Sequence, residues 1–381
     1  MGKPMAIIGA GNGGQAFAGY LSLHGRTVKI FDVVQNTVDK LTKLGGVVLE
    51  GHSDVTGFGK IELASTDIGK VMEGCEIILV VLPSIYHKDM AKKMAPHLKD
   101  GQIVVLNPNA SLGPVEFKNT LKECGCTADI IIAGTSTLLF ACRAIEVGRV
   151  EVSGQKASLS AAAYPSKYND LVAEKFADIL PQFNFRDDIL RVSLDNLNAM
   201  MHPAPTLLYT AKIEHEEDFQ YYLDFTPSQG ALVEALDAER MALGKAYGLE
   251  LRTLVDEYKN TYETSGNNMY EVITNAISAY TGIKGQKTMR TRYLMEDIPY
   301  SLVALQTMGQ VAGVPTPCIS AVITVARAII PEMDEGRTRK NLGLEGVDKE
   351  AFEAMYLALH DGTCANAPTD LHVRIGMIRQ K

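Results

Sequence analysis

Four apolar residues, Met5-Ala6-Ile7-Ile8, run directly into Gly9-Ala10-Gly11-Asn12-Gly13-Gly14, and an amphipathic stretch follows from Gln15 to His24. An apolar run, a glycine turn and a helical pattern in that order specify a strand–turn–helix opening whose backbone can hold phosphate. Each glycine has its own physical reason. Gly9 permits the tight turn, Gly11 lets a pyrophosphate approach the main chain without meeting a Cβ, and Gly14 lets the helix close onto the strand. Free N–H groups at the helix start, at the positive end of its dipole, then hold the diphosphate. The cofactor contacts expected from this turn are Gly9, Gly11, Asn12, Gly13, Gly14 and Gln15.

A second apolar strand, Thr27 to Phe31, ends at Asp32, about twenty residues past the turn. A carboxylate there accepts hydrogen bonds from both hydroxyls of an adenosine ribose and repels a 2′-phosphate, which favours NAD over NADP. Further apolar runs cover Glu76–Leu82, Gln102–Leu106 and Asp129–Ala133. Continuous apolar runs of this length suit parallel strands covered on both faces. Ligands in open α/β sheets bind beyond the carboxyl edge, so Leu82, Pro83 and Asn107 join the expected cofactor contacts.

The chain has 381 residues, enough for two domains or more, and its 46% apolar and 22% charged content is that of a globular protein. A net charge of −8 gives no basic footprint for nucleic acid or an anionic membrane surface. No apolar run is long enough to span a bilayer, and a strand that starts within the first residues leaves no room for a signal peptide. Cys124-Gly125-Cys126 is too close for a usual metal pair and has no matching second pair, so no metal site is expected. Scattered cysteines and these exclusions point to a reduced cytoplasmic protein.

The fold class that follows is α/β plus all-α: an N-terminal Rossmann-type doubly wound parallel sheet over residues 1–189, then a C-terminal helical-bundle domain over 190–381. In the first part a helix is expected over 37–44, a hairpin or irregular insertion over 45–63, short β segments at 149–152 and 156–161, and a helix at 167–180. In the second, Thr226-Pro227-Ser228-Gln229 reads as an N-cap, a first-turn proline and a capping-box glutamine. Leu232, Leu236, Arg240, Leu243 and Tyr247 then share one stripe, and Gly248 stands where a C-terminal glycine belongs. Helical patterns continue at 253–263, 267–280, 298–312, 318–330 and 349–360, with a loose final tail.

The chain resembles the opine dehydrogenases of the octopine/nopaline type across nearly its whole length. The resemblance is carried by Gly9–Ala18, Leu106-Asn107-Pro108, Leu139-Phe140-Ala141-Cys142-Arg143, Asn198-Ala199-Met200-Met201-His202-Pro203, Phe219-Gln220-Tyr221-Tyr222 and Asp237-Ala238-Glu239-Arg240. Arg292-Tyr293 with Glu296-Asp297, and Val314-Pro315-Thr316-Pro317, complete it. It implies an NAD-dependent reductive condensation: an amino acid's amine joins a 2-keto acid such as pyruvate, and the resulting imine is reduced to a secondary amine dicarboxylate. It also implies that His202 and Asp297 form the catalytic pair and that Arg292 clamps a substrate carboxylate. One departure stands out, because the family commonly has Gly-Glu-Thr where this chain reads Ala133-Gly134-Thr135.

The same roles follow from chemistry. Hydride transfer needs a proton moved nearby, and histidine titrates close to neutral pH. A carboxylate on its other ring nitrogen fixes the tautomer, and arginine's planar fork fits a carboxylate bidentately. Asn198 lies one helical turn before His202 and is taken, with Thr206, as a substrate contact. Asp297 also looks like a helix N-cap before Ile298, Arg290 competes with Arg292, and His87 is a weaker candidate for the cofactor loop; the other histidines look like surface or loop residues. Two rivals remain. One is a ketopantoate-reductase-like or glycerol-3-phosphate-type dehydrogenase, whose proton donor would be a lysine; the other is a non-catalytic NAD-sensing module. A cleft between the two parts, and a homodimer formed through apolar helices of the second half, complete the expectations.

Overall fold

The computed structural model describes residues 2–185, 187–277 and 281–357. They divide into two compact units. The first holds the described residues through Tyr164, then Tyr168–Asn196 and Asn341–Gly343; the second holds Pro165–Lys167, Leu197–Lys340 and the described residues from Leu344.

In the first unit, strands β1 (Met5–Ile8), β2 (Val28–Phe31), β5 (Leu63–Ser65), β6 (Ile77–Val80), β7 (Ile103–Leu106), β8 (Ile131–Thr135), β11 (Leu159–Tyr164) and β12 (Phe183–Phe185) form one sheet. Its order is β12-β11-β8-β7-β6-β1-β2-β5. From β5 to β8 all pairings are parallel, while β11 runs antiparallel to β8, so the edge of the expected parallel sheet is mixed. Every residue of β1, β6 and β7 is buried, which is why these segments read as unbroken apolar runs. One face carries Ile7, Leu79 and Val105 with Phe17 of helix α1 (Asn12–Leu23); the other carries Ile8, Ile78 and Val104 with Met90 and Phe117.

The expected hairpin over 45–63 is present as β3 (Gly46–Gly51) and β4 (Gly57–Lys60), but it has a partnership the sequence reading lacked. β9 (Phe140–Glu146) and β10 (Arg149–Gln155) join it in a four-stranded sheet of order β4-β3-β10-β9. Phe140 of this sheet packs edge-on against Phe17 of α1 at 5.0 Å between centroids. β9 alternates buried and accessible residues only weakly, so no strand period marked it. β10 extends beyond the expected 149–152, β11 begins three residues later than expected, and β12 was not foreseen.

Helix α1 starts at Asn12 rather than Gln15, which places Gly13 and Gly14 inside its first turn. The remaining helices of this unit are α2 (Gln35–Leu44), α3 (Ile68–Met72), α4 (His87–Met94), α5 (Gly113–Glu123), α6 (Asn169–Phe176) and α7 (Ile189–Leu194).

The second unit is helical: α8 (Asn198–Met201), α9 (Pro203–Leu208), α10 (Thr210–Glu214), α11 (Pro227–Ala246), α12 (Leu254–Tyr262), α13 (Met269–Asn275) and α14 (Arg292–Met295). A π-helical turn, Ile298–Leu302, leads into α15 (Val303–Ala312), followed by α16 (Pro317–Ile329) and α17 (Lys349–Leu357). The capping box on α11 is present in full, and Gly248 takes a left-handed φ of 69° just past its end. The Asp-x-Glu-Arg motif proves to be a structural hub on α11. Asp237 accepts from Arg240 Nε at 2.7 Å and from the Leu254 N–H at 2.8 Å, while Arg240 donates to the Arg252 carbonyl at 2.6 Å. Glu239 receives the Cys318 and Ile319 N–H groups at 2.6 and 2.9 Å, so it caps α16 from outside. The expected patterns at 267–280 and 349–360 end in residues 278–280 and 358–360, which lie outside the described residues. So do the final tail, Cys364, His360 and His372.

The closeness of α1 to β1 generates the first test. A Cβ on Gly14 would sit 1.8 Å from the Gly9 carbonyl oxygen, which is backbone and cannot yield. Gly14→Ala should therefore destabilise the first unit by roughly 1–3 kcal/mol or more; urea unfolding of the two proteins side by side reads it, and equal midpoints would contradict the packing argument.

Candidate active site

In the first unit, the turn from β1 to α1 is built as the glycine pattern requires. Gly9 has φ 108°, and a Cβ there would meet the Val81 carbonyl at 2.6 Å. At Gly11, the N-cap of α1, a Cβ would meet nothing within 4 Å. That open space lies over the free N–H groups of a twelve-residue helix. The Asp32 carboxylate follows β2 and accepts the Ala10 N–H at 2.7 Å and the Val34 N–H at 2.9 Å. Each oxygen keeps a lone pair for a ribose hydroxyl.

Asn12 and Gln15 turn out to use their side chains on protein. Asn12 Oδ1 accepts the Ala144 N–H at 3.0 Å. Gln15 is buried, with Nε2 donating to the Ala10 carbonyl at 2.7 Å and Oε1 accepting the Gly148 N–H at 2.7 Å. These bonds tie the glycine turn to the β9–β10 hairpin, so any cofactor contact from these two positions is left to the main chain. Leu82 underlies Gly9, and Pro83 is exposed and opens a 3₁₀ turn over Ser84–Tyr86. His87 is fully buried with Nε2 3.1 Å from the Leu82 carbonyl oxygen, a loop fastener rather than a ligand group. His24, His52, His97 and His215 are exposed, as expected.

At the carboxyl edge of β7, Asn107 is fully buried. Its Nδ2 donates to Thr135 Oγ1 at 2.5 Å and to the Thr137 carbonyl at 3.4 Å. Its Oδ1 has no partner among the described residues, an acceptor left over for a ligand amide. The open space at Gly11, the Asp32 carboxylate and this orphan acceptor all fit a nicotinamide dinucleotide. Gly134, which stands where a glutamate was expected, has no room for a side chain: a Cβ would sit 2.7 Å from Asn109 Cβ. Asn109 is itself fixed, donating through Nδ2 to the Thr135 carbonyl at 2.6 Å.

In the second unit, the structure joins the two residues expected to share the catalytic work. His202 Nδ1 lies 2.7 Å from Asp297 Oδ2, and both side chains are at least nine-tenths buried. A carboxylate at this distance favours the tautomer with its proton on Nδ1, which leaves Nε2 as the ring's other polar atom. Nε2 has no hydrogen-bond partner among the described residues. Asp297 precedes the π-helical turn but makes no side-chain cap, so the alternative N-cap role is not used.

His202 sits at the junction of α8 and α9, where Pro203 starts the second helix. Its carbonyl oxygen receives the Thr206 hydroxyl at 2.7 Å and the Tyr221 hydroxyl at 2.8 Å. Burial pushes the Tyr221 phenol well above its usual range, so that hydroxyl stays protonated. Thr206 is completely buried and braces His202. Asn198 opens α8, accepts the His202 N–H on its carbonyl at 2.9 Å, and has no side-chain partner among the described residues. Met200 and Met201 belong to the core. Arg292 is largely exposed, with Nε 3.6 Å from Glu296 Oε2, whereas Arg290 is engaged with Glu332 at 2.6 Å. Lys212, ten residues past His202, lies over the rings of Tyr209 and Phe219.

Two features were not read from the sequence. Tyr293 stacks on the imidazole of His202, with centroids 3.8 Å apart and planes 6° from parallel. The π-helical turn after Asp297 is braced by Arg337, which is fully buried: its N–H donates to the Pro299 carbonyl at 2.9 Å and its guanidinium to the Tyr300 carbonyl at 3.1 Å. Gly336, with φ 72°, allows this approach, since a Cβ there would lie 2.0 Å from the Pro299 oxygen. The spacing of Tyr293 and Asp297 was a usable signal, because residues four apart share a helix face.

The family model for the NAD/NADP octopine/nopaline dehydrogenase alpha-helical domain matches residues 185–330, and that for the NAD-dependent glycerol-3-phosphate dehydrogenase N-terminus matches residues 4–108. An opine dehydrogenase from Arthrobacter sp. (strain 1C) is 38% identical over 348 residues, 91% of this chain and 96% of that protein. The chain belongs to the opine dehydrogenase family. A protein ocs from Agrobacterium vitis is 27% identical over 91% of this chain and 97% of its own length. An octopine dehydrogenase structure described with NADH and L-arginine superposes with a TM-score of 0.77 at 18% identity, covering 93% of this chain and 98% of its own. A ketopantoate reductase from Ralstonia eutropha JMP134 aligns with a TM-score of 0.59 at 18% identity, over 87% of this chain and 99% of its own, so the two-part plan is shared more widely than the chemistry. As an opine dehydrogenase family member, this chain is an NAD-dependent oxidoreductase that condenses an amino acid with a 2-keto acid. Among the described residues no helix is long and apolar enough to cross a membrane.

The cofactor preference is open to test at Asp32. If the expected ribose contact holds, Asp32→Ala, which also removes the brace on Ala10, should weaken NADH binding about 10-fold or more while NADPH binding changes little or improves. Fluorescence titration with both coenzymes reads the ratio, and an unchanged ratio would remove Asp32 from the cofactor site.

Proposed function

We propose that this opine dehydrogenase uses His202 as its acid–base group, Asp297 as the carboxylate that fixes it, and Arg292 as the clamp on a substrate carboxylate, with pyruvate as the keto acid. The observation that carries the reading is the buried 2.7 Å bond between His202 Nδ1 and Asp297 Oδ2, which leaves Nε2 without a protein partner among the described residues. Octopine dehydrogenase structures described with pyruvate and with L-arginine support the substrate classes.

In this reading, Nε2 takes one proton from the amine as it adds to the keto carbonyl and delivers it, then a second drawn from solvent, to the oxygen that leaves as water. The iminium that results keeps the other N–H hydrogen of the amine, so a hydride on carbon, the chemistry NADH supplies when bound, completes the secondary amine. Asp297 holds the proton on Nδ1 through the cycle and stabilises the imidazolium between transfers. Arg292 stands on the exposed side of α14 and can exchange its 3.6 Å contact with Glu296 for a bidentate grip on a carboxylate. Asn198, with its side chain unengaged among the described residues, is a substrate contact in the same reading. Gly9, Gly11, Gly13, Gly14, Asp32 and the main chain at Asn12 and Gln15 hold the dinucleotide, with Leu82, Pro83 and Asn107 on its nicotinamide side.

The partners in this reading are small molecules, with neither nucleic acid nor membrane. The location is cytoplasmic, in keeping with free thiols at Cys75, Cys124, Cys126, Cys142 and Cys318. A homodimer would bury exposed apolar side chains such as Leu208 and Val325.

NADH oxidation should require pyruvate and an amino acid together; oxidation with a ketone alone would favour the ketopantoate-reductase-like alternative. His202→Asn should lower kcat about 10²- to 10⁴-fold with NADH affinity, measured by fluorescence, unchanged. Asp297→Asn should fall in the same range, because the amide no longer selects the tautomer. A His202→Asn enzyme with full turnover would overturn the assignment.

A further inference from the structure

We propose that Tyr293 is a positioning residue for the reaction: its ring clamps the plane of the His202 imidazole and so aims Nε2. The inference rests on His202 being the acid–base group. The bond from Nδ1 to Asp297 fixes one edge of the imidazole but leaves the ring free to tilt about that edge. A second constraint must come from a face. Tyr293 supplies it, stacked 3.8 Å from the imidazole centroid and within 6° of parallel.

The geometry behind the stack is built from residues of one motif. Tyr222 hydrogen-bonds to Tyr293, and Tyr221 meets the Tyr293 ring edge-on at 5.1 Å and 70°. Tyr221 and Tyr222 are themselves edge to face at 5.0 Å and 80°. The Tyr221 hydroxyl, in turn, holds the His202 carbonyl oxygen. The two consecutive tyrosines of Phe219-Gln220-Tyr221-Tyr222 therefore hold the clamp and the backbone of the clamped residue at once. On α14 and just past it, Tyr293 and Asp297 are four residues apart and face the same way, so one element delivers both the face constraint and the edge constraint. Tyr293 is only half-buried, so its size is not dictated by core filling alone. Placement of a proton-transfer group is worth large factors in rate, because a misplacement of about 1 Å costs on the order of 10²-fold.

The test separates the clamp from general stability and from the catalytic assignment. Tyr293→Leu, and Tyr293→Met as a second replacement in case the first does not fold, should lower kcat about 10- to 100-fold while KM values for NADH and keto acid hold within about threefold. Tyr293→Phe keeps the stacked face and should restore most of the rate. In histidine-labelled protein, one imidazole proton resonance, identified by its loss in His202→Asn, should lie upfield in wild type and Tyr293→Phe, shielded by the tyrosine ring, and return to an ordinary position in Tyr293→Leu. Wild-type kcat in the Leu and Met variants, a Phe variant as slow as Leu, or an unshielded imidazole in the wild type would each overturn the proposal. A fully active His202→Asn enzyme would overturn the catalytic role of His202 and leave the ring-shielding result standing.

Discussion

The second unit is organised around one bond, the 2.7 Å contact between His202 and Asp297. A buried imidazole and carboxylate are each costly to desolvate, and breaking such a pair leaves the survivor unmatched. The surrounding chain is arranged so that neither can leave. The His202 carbonyl is gripped by Thr206 and Tyr221, its ring is covered by Tyr293, and Asp297 is set at the head of a π-helical turn that Arg337 and Gly336 hold from the far side. π-helical turns are costly in isolation and recur at functional sites, where they re-aim a side chain. Here the turn follows the carboxylate whose direction matters.

What could be read from the sequence was what is local. The glycine turn, the capping box of α11 and the C-terminal Gly248 each depend on a few adjacent residues and on backbone rules, and each took its expected form. The unbroken apolar runs of β1, β6 and β7 were equally plain because both faces of those strands are buried. β5, β9 and β12 escaped notice for the opposite reason: two are three residues long, and β9 has neither a continuous run nor a clean alternation. Their pairing is decided by distant segments.

The candidate site divides along the same line. His202 and Asp297 are 95 positions apart, and no spacing rule joins them; family motifs did. The same motifs marked Asp237, Glu239 and Arg240 without saying what they do, and the structure makes them fasteners of α12 and α16. Asn12, Gln15 and Thr206 show the converse. Their positions beside the glycine turn and the histidine suggested ligand contacts, yet their side chains are spent on Ala144, Gly148 and the His202 carbonyl. A polar residue next to a site is as readily the brace of that site as its ligand.

The two units therefore put their functional information in different places. In the first, the site proposed for the dinucleotide is mostly main chain: N–H groups at a helix start, an absent Cβ at Gly11, a carbonyl approach at Gly14, with Asp32 and Asn107 as the side chains it would use. In the second, the proposed acid–base pair consists of side chains whose orientation is over-determined by hydrogen bonds and ring contacts. Gly134 belongs to the first kind. Because Asn109 occupies the space a side chain would take, restoring a glutamate at 134 would first require moving a residue bonded to Thr135, and through Thr135 the change would reach Asn107. What can stand at 134 is thus limited by the packing of β8 against the loop after β7, and positions 134 and 109 have to be changed together.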